Sequence, residues 1–255
     1  MSVEYENRGH VRVVTINRPE ARNALDIATN LRLQEIWTEF LADDDAWVAV
    51  LTGAGDKAFC AGADLKELDP EGRARGQTPP PRGIITRDFT CYKPLIAALN
   101  GSAYGGGLEM ALACDLIVAS REATMVLSEV RWGMMPGAGG TQRLPRALPR
   151  AIALEMLLAG EPMTAQRAYE LGLVNRVVPP SEVLQTSIDI AEKIGMNGPL
   201  AVRAVKEAVV RGSDVPLGES LRIEQNLSRQ LFATEDAKEG PAAFREKRSP
   251  VFRAR

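Results

Sequence analysis

Three short segments of the chain are almost entirely apolar, and helical sequence separates them. They are WVAVLTG ending at Gly53, PLIAALNG ending at Gly101 and DLIVAS ending at Ser120. A run such as WVAVLTG, apolar at nearly every position, is typical of a strand buried on both faces. HVRVVTINRP, which precedes them, alternates as a strand and stops at Pro19. Alternation of strands and helices at this spacing predicts an α/β fold with largely parallel sheets.

Apolar residues at helical intervals predict a helix from Leu25 to Leu41, another around Ile84 to Cys91, and a third after the glycines 105–107. TMVLSEV predicts a short strand that ends near Glu129. From Ala151 onward only LVNRVV predicts a strand. The predicted helices of this part are 151–159, one that Thr164 caps and Gly172 stops, 182–194, 199–210 and 221–232. A C-terminal region made mostly of helices usually packs on the main domain or on a neighbouring subunit.

The balance of charge and the N-terminal sequence exclude several classes of partner. Lys and Arg total 31 and Asp and Glu 33, a net charge of −2, and the chain has no basic run. We therefore expect no nucleic-acid and no membrane partner. The N-terminus lacks the apolar segment of a secretory signal, and no apolar run reaches the roughly 18 residues of a membrane span. These features predict a cytoplasmic protein.

The residues that could bind a metal or act as nucleophiles are few. Three widely spaced cysteines indicate reduced thiols rather than disulfides or a zinc site. His10 is the only histidine, so a Ser-His-Asp mechanism would depend on it alone. GAGDKA has the letters of a dinucleotide-binding turn, but Gly62 would break the helix that must follow. We expect neither a metal nor a redox cofactor.

Three consecutive glycines, Gly105 to Gly107, stand directly before a predicted helix in NGSAYGGGLEMALACD. Each costs roughly 0.5 to 1 kcal/mol relative to alanine inside a regular element. AFCAGADLKEL has a similar glycine at a predicted helix start. Backbone N–H groups at a helix N-terminus lack intrahelical partners, and glycine lets a substrate oxygen approach them. Ala63 and Gly106 could thus form an oxyanion hole, but close packing of helix on strand explains the glycines equally well.

Two glutamates lie in apolar surroundings. Glu109 follows the glycines in LEMAL, and Glu129 stands in MVLSEVRW. Unpaired burial of a carboxylate is expensive, so each either lies in a cleft with a function or is solvated or ion-paired, with Arg121 and Arg131 available. The residues alone leave both interpretations open.

Six motifs together resemble the enoyl-CoA hydratase/isomerase family, the crotonase superfamily, over nearly the whole chain. They are NRPEARNAL, AFCAGADLKEL, KPLIAALNGSAYGGGLEMALACDLIVAS, SEVRWGMMPGAGGTQRLPR, AYELGLVNRVVP and TEDAKEGPAAFREKRSPVF. The resemblance implies an α/β fold, a crotonase-like spiral of ββα turns with a C-terminal helical trimerisation region. It implies a catalytic core over residues 1–195, an oligomerisation region over 196–255, and a homo-oligomer that is a trimer or a dimer of trimers.

The resemblance also implies an activity and its residues. In the family, the positions of Ala63 and Gly106 supply the oxyanion-hole amides, and those of Glu109 and Glu129 are the two glutamates of hydratases. Ser128 stands where proline is frequent. We expect hydration of a trans-2-enoyl-CoA to a 3-hydroxyacyl-CoA in fatty-acid β-oxidation, with Glu129 protonating the α-carbon and Glu109 activating water. The alternatives are a Δ3,Δ2-enoyl-CoA isomerase or a specialised acyl-CoA dehydratase.

Coenzyme A is then part of an acyl-CoA thioester substrate, and no separate cofactor is expected. The resemblance implies contacts to it, which comprise Arg22, Ala61, Ala63, Asp64, Leu65, Lys66, Gly106, Phe244 and Lys247. Phe244 and Lys247 often reach it from an adjacent subunit in the family. Tyr104, Trp132, Met134, Met135 and the loop from Asp69 to Gly83 could form walls of an acyl pocket, although such residues are more often simply packed.

Overall fold

The computed structural model describes residues 1–64 and 85–255, and the predicted loop from Asp69 to Gly83 lies outside them. Ten strands form two sheets within the described ranges. They are β1 (Val3–Arg8), β2 (Val11–Ile16), β3 (Val48–Gly53), β4 (Ala58–Cys60), β5 (Leu95–Leu99), β6 (Ser102–Tyr104), β7 (Leu116–Ser120), β8 (Thr124–Val126), β9 (Met163–Thr164) and β10 (Arg176–Val178). The larger sheet has the order β1-β2-β3-β5-β7-β10 and the smaller β4-β6-β8-β9.

Each sheet is parallel except at one edge. Among the described strands of the larger sheet, only β1 pairs antiparallel, with β2. In the smaller sheet β4, β6 and β8 run parallel and β9 pairs antiparallel with β8. Consecutive strands alternate between the sheets: β3, β5 and β7 lie in the larger, and β4, β6 and β8 follow them in the smaller. Two strands and then a helix make one turn, which confirms the predicted spiral of ββα turns.

Nine α-helices complete the described part. They are α1 (Ile27–Ala42), α2 (Gly106–Ala113), α3 (Gly140–Ala147), α4 (Arg150–Ala159), α5 (Ala165–Glu170), α6 (Val183–Gly195), α7 (Pro199–Gly212), α8 (Leu217–Phe232) and α9 (Asp236–Glu246). None in this part combines the length and apolar character needed to cross a bilayer. These helices confirm the predicted C-terminal helical region. The boundary between a catalytic core (1–195) and an oligomerisation region (196–255) stays a prediction.

The apolar runs are buried on both faces, as WVAVLTG predicts. Within β3, Ala49 and Leu51 point into the core shared with the smaller sheet, whereas Val48 and Val50 point to the opposite face. Helix α6 covers that second face with Val183, Ile188 and Ala191. Successive side chains of a strand point to opposite sides. Strand β3 is therefore buried on both faces, and the hydroxyl of Thr52 within it donates to the carbonyl of Ala98.

Several elements differ from the sequence predictions, among them the short strands β4, β6 and β9, which were not predicted. The predicted helix around Ile84 to Cys91 is wrong for residues 85–91, which form turns, bends and irregular chain. Asp88 has a left-handed backbone, with φ of 52°, which interrupts a right-handed helix. Strand β1 was not predicted, because this edge strand exposes most of its side chains and has no apolar pattern. Thr164 does cap α5, since its hydroxyl accepts the N–H of Arg167.

Lys93 is a buried cation that closes the C-terminal end of α1. It is 6% exposed, and its ammonium donates to the carbonyls of Phe40 (2.6 Å), Leu41 (3.2 Å) and Asp43 (2.7 Å). The last carbonyls of a helix lack intrahelical partners. We expect Lys93→Met to lower the free energy of unfolding by about 2 to 3 kcal/mol, because buried acceptors lose a charged donor. Urea unfolding measures this, and Lys57→Met, at an exposed site, is the control. Equal midpoints for the two variants would contradict it.

Candidate active site

The carboxyl ends of three adjacent strands meet at one cavity. Because β4, β6 and β8 are parallel and neighbouring, the segments that follow them lie side by side at the same edge of the smaller sheet. The cavity measures about 330 Å³. Its lining in the described chain is Leu25, Asn30, Ala61, Gly62, Ala63, Thr86, Tyr104, Gly105, Gly106, Glu109, Met110, Ser128, Glu129, Trp132, Met134, Met135, Gly137 and Ala138. Mostly apolar walls with a few convergent polar groups are typical of ligand sites.

The three glycines at the start of α2 each have a separate structural role. Gly105 precedes the helix with φ of 51°, a backbone conformation that other residues rarely adopt. Gly107 packs α2 against β4 so closely that a Cβ there would stand 2.2 Å from the carbonyl oxygen of Cys60. Gly106 is the first residue of α2, and it lines the cavity. The glycines therefore serve both purposes that the sequence suggested: Gly107 allows close packing of helix on strand, and Gly106 presents its N–H at the cavity.

The backbone N–H groups of Ala63 and Gly106 lie near each other. A Cβ built on Gly106 would stand 4.0 Å from the nitrogen of Ala63, and one on Gly62 would stand 3.1 Å from the nitrogen of Gly106. The residues on either side of Ala63 are hydrogen-bonded to Leu25: Leu25 donates its N–H to the carbonyl of Gly62, and Asp64 donates its N–H to the carbonyl of Leu25. Within the described residues, neither N–H of the pair donates to a protein acceptor. Two amides at one cavity wall can bind one carbonyl oxygen.

Glu109 is a buried carboxylate held by the start of α3. It is 2% exposed and stands in the first turn of α2. Its Oε1 accepts the backbone N–H of Ala138 (2.6 Å) and that of Gly140 (2.8 Å). Gly140 begins α3, so the carboxylate sits at a helix N-terminus, where the dipole favours negative charge. The solvated alternative left open by the sequence is therefore excluded.

Glu129 reaches the same cavity from a different element. Strand β8 ends at Val126, and Glu129 begins a short 3₁₀ helix, Glu129–Trp132, rather than ending a strand. Its side chain is half-buried, and a Cβ on Gly105 would stand 3.2 Å from its Oε1. Arg131 pairs instead with Glu161 at the surface. Both glutamates thus line one cavity, beside the two amides.

The expected wall residues Tyr104, Trp132, Met134 and Met135 all line the cavity. Trp132 is 73% exposed and Met135 67% exposed, so these two stand at its mouth rather than in the core. Ser128 lines it as well. An apolar mouth of this kind can contact the acyl group of a substrate.

The expected coenzyme A contacts are dispersed. Ala61 lines the cavity, whereas Asp64 is ion-paired with Arg18 at 3.2 Å. Arg22 is exposed beside a second cavity of about 280 Å³, to which Lys57 also contributes.

Two expected contact positions lie outside the described residues, and two others are remote from this cavity. Leu65 and Lys66 lie outside the described residues. Phe244 is 85% exposed on α9 and Lys247 ends that helix, and neither lines the cavity of its own chain.

Within the described residues, neither the histidine nor a cysteine lines this cavity. His10 stacks on Trp47 with ring centroids 3.6 Å apart, and its Nδ1 lies 2.9 Å from the carbonyl of Asp45, away from the cavity lining. Burial raises the pKa of the Cys60 thiol to about 12 and also raises those of Cys91 and Cys114. Protonated thiols are poor nucleophiles.

Sequence reasoning missed the groups that hold Glu109. The glycines of GAGGTQR, residues 137–143, form a turn into the next helix, in which Gly139 has φ of 105° and after which α3 starts at Gly140. The same turn also directs the N–H groups of Ala138 and Gly140 at a carboxylate. A glycine-rich helix start is a signal for an anion site, but the sequence does not show which anion it faces.

The fold and this site define a class of protein. The family model described as enoyl-CoA hydratase/isomerase matches residues 6–255. The chain therefore belongs to the enoyl-CoA hydratase/isomerase family, within the crotonase superfamily, and is an enzyme of that superfamily.

Individual relatives are similar over their full lengths. The chain is 47% identical to (E)-benzylidenesuccinyl-CoA hydratase of Thauera aromatica, covering 99% of each chain. It is 40% identical to carnitinyl-CoA dehydratase of Salmonella typhi, over 100% of this chain and 99% of that one. The crystal structure of enoyl-CoA hydratase from Bacillus anthracis superposes with a TM-score of 0.93 at 39% identity, covering 100% of both chains.

Proposed function

We propose that the protein adds water reversibly to a trans-2-enoyl-CoA and forms a 3-hydroxyacyl-CoA. One observation carries this proposal: two acidic side chains and two backbone donors line a single cavity. Hydration of an activated double bond requires an acceptor for a proton of water, a donor of a proton to carbon, and stabilisation of the charge that develops on the thioester oxygen. The described lining offers a group for each task.

In the proposed mechanism, the N–H groups of Ala63 and Gly106 bind the thioester carbonyl oxygen. As water attacks the β-carbon, electrons move through the conjugated system onto this oxygen, and the two amides stabilise its negative charge. The N-terminal end of α2 adds a favourable dipole, because Gly106 is its first residue. The charge is stabilised by groups already fixed in place, so little reorganisation is needed.

The two glutamates then divide the proton transfers. Glu109, with Oε1 fixed by two amides, accepts a proton from the water as its oxygen bonds to the β-carbon. Glu129 donates a proton to the α-carbon, which removes the charge from the enolate oxygen. Microscopic reversibility lets the same pair dehydrate a 3-hydroxyacyl-CoA. Coenzyme A binding, remote from these carbons, positions the acyl group.

Further assignments extend this proposal to coenzyme A and to assembly. We assign Ala63, Asp64, Leu65 and Lys66 to the adenine end of coenzyme A and Arg22 to its phosphates, with Ala61 as a further contact. Exposed apolar residues on α7 and α8 support a homo-oligomer, a trimer or a dimer of trimers, in which Phe244 and Lys247 reach a neighbouring site. These residues are Val205 (65% exposed), Val209 (63%), Leu217 (73%) and Phe232 (76%). Light scattering of the purified protein measures its assembly state.

A bulkier acyl group is the second candidate substrate for the same chemistry. Trp132 and Met135 give the cavity mouth a large apolar surface. Two relatives, the benzylidenesuccinyl-CoA hydratase and the carnitinyl-CoA dehydratase, carry substrates in their names that are larger than a simple short enoyl group. A substrate panel should therefore include straight-chain, branched and aryl-substituted enoyl-CoA thioesters.

Incubation with crotonyl-CoA in H₂¹⁸O tests the proposed reaction. We expect ¹⁸O in the 3-hydroxyacyl product, measured by mass spectrometry, because only hydration transfers oxygen from solvent to the acyl chain. A 3-enoyl-CoA substrate tests the isomerase alternative, which moves the double bond without adding oxygen. Product without ¹⁸O, or turnover of the 3-enoyl-CoA alone, would contradict the proposal. Heat-denatured protein is the control.

A further inference from the structure

Arg143 joins two segments of the cavity wall. It lies in the first turn of α3, and its side chain is partly buried. Its Nη2 donates to the carbonyl of Thr86 at 3.0 Å, and its Nη1 donates to the carbonyl of Ala138 at 3.3 Å. Thr86 and Ala138 both line the cavity. One planar guanidinium thus ties together segments that are far apart in the sequence.

Ala138 is held through both of its backbone groups. Its carbonyl accepts from Arg143, and its N–H donates to Oε1 of Glu109 at 2.6 Å. The N–H of Arg143 itself bonds to the carbonyl of Gly139 at 2.8 Å, which closes the turn from which α3 starts. The position of Arg143 therefore determines where the turn directs its amides. Glu109 is 2% exposed, so its carboxylate depends on these protein donors.

The guanidinium also acts electrostatically. Burial lowers the pKa of Arg143, while the negative charge of Glu109 acts in the opposite direction. Arginine remains charged even so, because its ordinary pKa is far above neutral. A partly buried cation within electrostatic range of Glu109 stabilises a negative carboxylate at that position.

We propose that Arg143 is a positioning residue that holds Glu109 ready to accept a proton from water. It contacts neither the reacting atoms nor the cavity, and it acts through the turn 136–140. This inference rests on the proposed hydratase function. It predicts an effect on turnover rather than on substrate binding, because the amides of Ala63 and Gly106 lie on other segments.

Kinetics of three arginine variants test this role. We expect Arg143→Met to lower kcat for crotonyl-CoA hydration about 10- to 100-fold, since small misplacements of a catalytic group cost this much, while KM changes about threefold or less. Arg143→Lys keeps the charge but cannot reach both carbonyls, so its kcat should lie between those of Arg143→Met and wild type. Arg146→Met is the matched control on the same helix, since Arg146 is 62% exposed and bonds to Gln142.

Thermal unfolding and coenzyme A affinity identify variants that have merely lost their fold. If Arg143→Met does not fold, the Arg143→Lys variant alone tests the positioning role, and we expect it to lose kcat at nearly constant KM. A wild-type kcat in either folded Arg143 variant, or a loss equal to that of Arg146→Met, would overturn the inference and leave the hydratase proposal standing. If the wild-type protein hydrates no enoyl-CoA thioester, both fail together.

Discussion

Replacing either glutamate by glutamine should reduce kcat for enoyl-CoA hydration by about 10² to 10⁴-fold, the usual contribution of a general acid or base. Glu109→Gln is close to isosteric, and its side-chain carbonyl can still accept the N–H groups of Ala138 and Gly140. The loss therefore reports proton transfer rather than packing. In Glu129→Gln, the amide cannot deliver a proton to the α-carbon, and this half-buried position should tolerate the change.

Steady-state kinetics with crotonyl-CoA, together with coenzyme A affinity from calorimetry, would measure both variants. We expect affinity to stay nearly unchanged, because neither carboxylate is assigned to the nucleotide part. Glu122→Gln is the matched control, since Glu122 is exposed and does not line the cavity. Turnover near that of wild type in one variant would remove that glutamate from the mechanism.

Gly106→Pro should reduce kcat by about 10² to 10³-fold, because it deletes one of the two proposed oxyanion donors. Gly106 is the first residue of α2, and proline is well accepted at this helix position, where the N–H has no intrahelical partner. The helix should therefore survive. The loss would then be assigned to the donor rather than to unfolding.

Gly106→Ala provides the comparison, because alanine keeps the N–H. Its Cβ would meet nothing nearer than the Cα of Gly62 at 3.7 Å, an ordinary van der Waals contact. We expect the alanine variant to retain substantially more activity than the proline variant, and circular dichroism checks that both are folded. Similar rates for the two would show that the Gly106 N–H takes no part in the reaction.

Much of the fold could be predicted because local sequence and tertiary environment agree. Neither face of strand β3 is polar, so its burial between α6 and the smaller sheet could be predicted from WVAVLTG alone. Strand β1 could not be predicted, because an edge strand makes its backbone bonds while most of its side chains remain in water. The segment 85–91 has some helical periodicity, but the left-handed backbone at Asp88 overrides that weak preference.

The candidate site, like the fold, could be predicted only in part from the sequence. From the residues themselves, the sequence determined that a helix starts at the glycines, that two glutamates stand in apolar segments, and that the single histidine is remote from both. Only the tertiary structure decided that these features belong together. The adjacency of β4, β6 and β8 brings Ala63, Gly106 and Glu129 to one edge. The start of α3 fixes Glu109 there. Local sequence determines which backbone conformation each segment prefers, whereas the order of strands in a sheet depends on contacts between distant segments, which no short motif encodes.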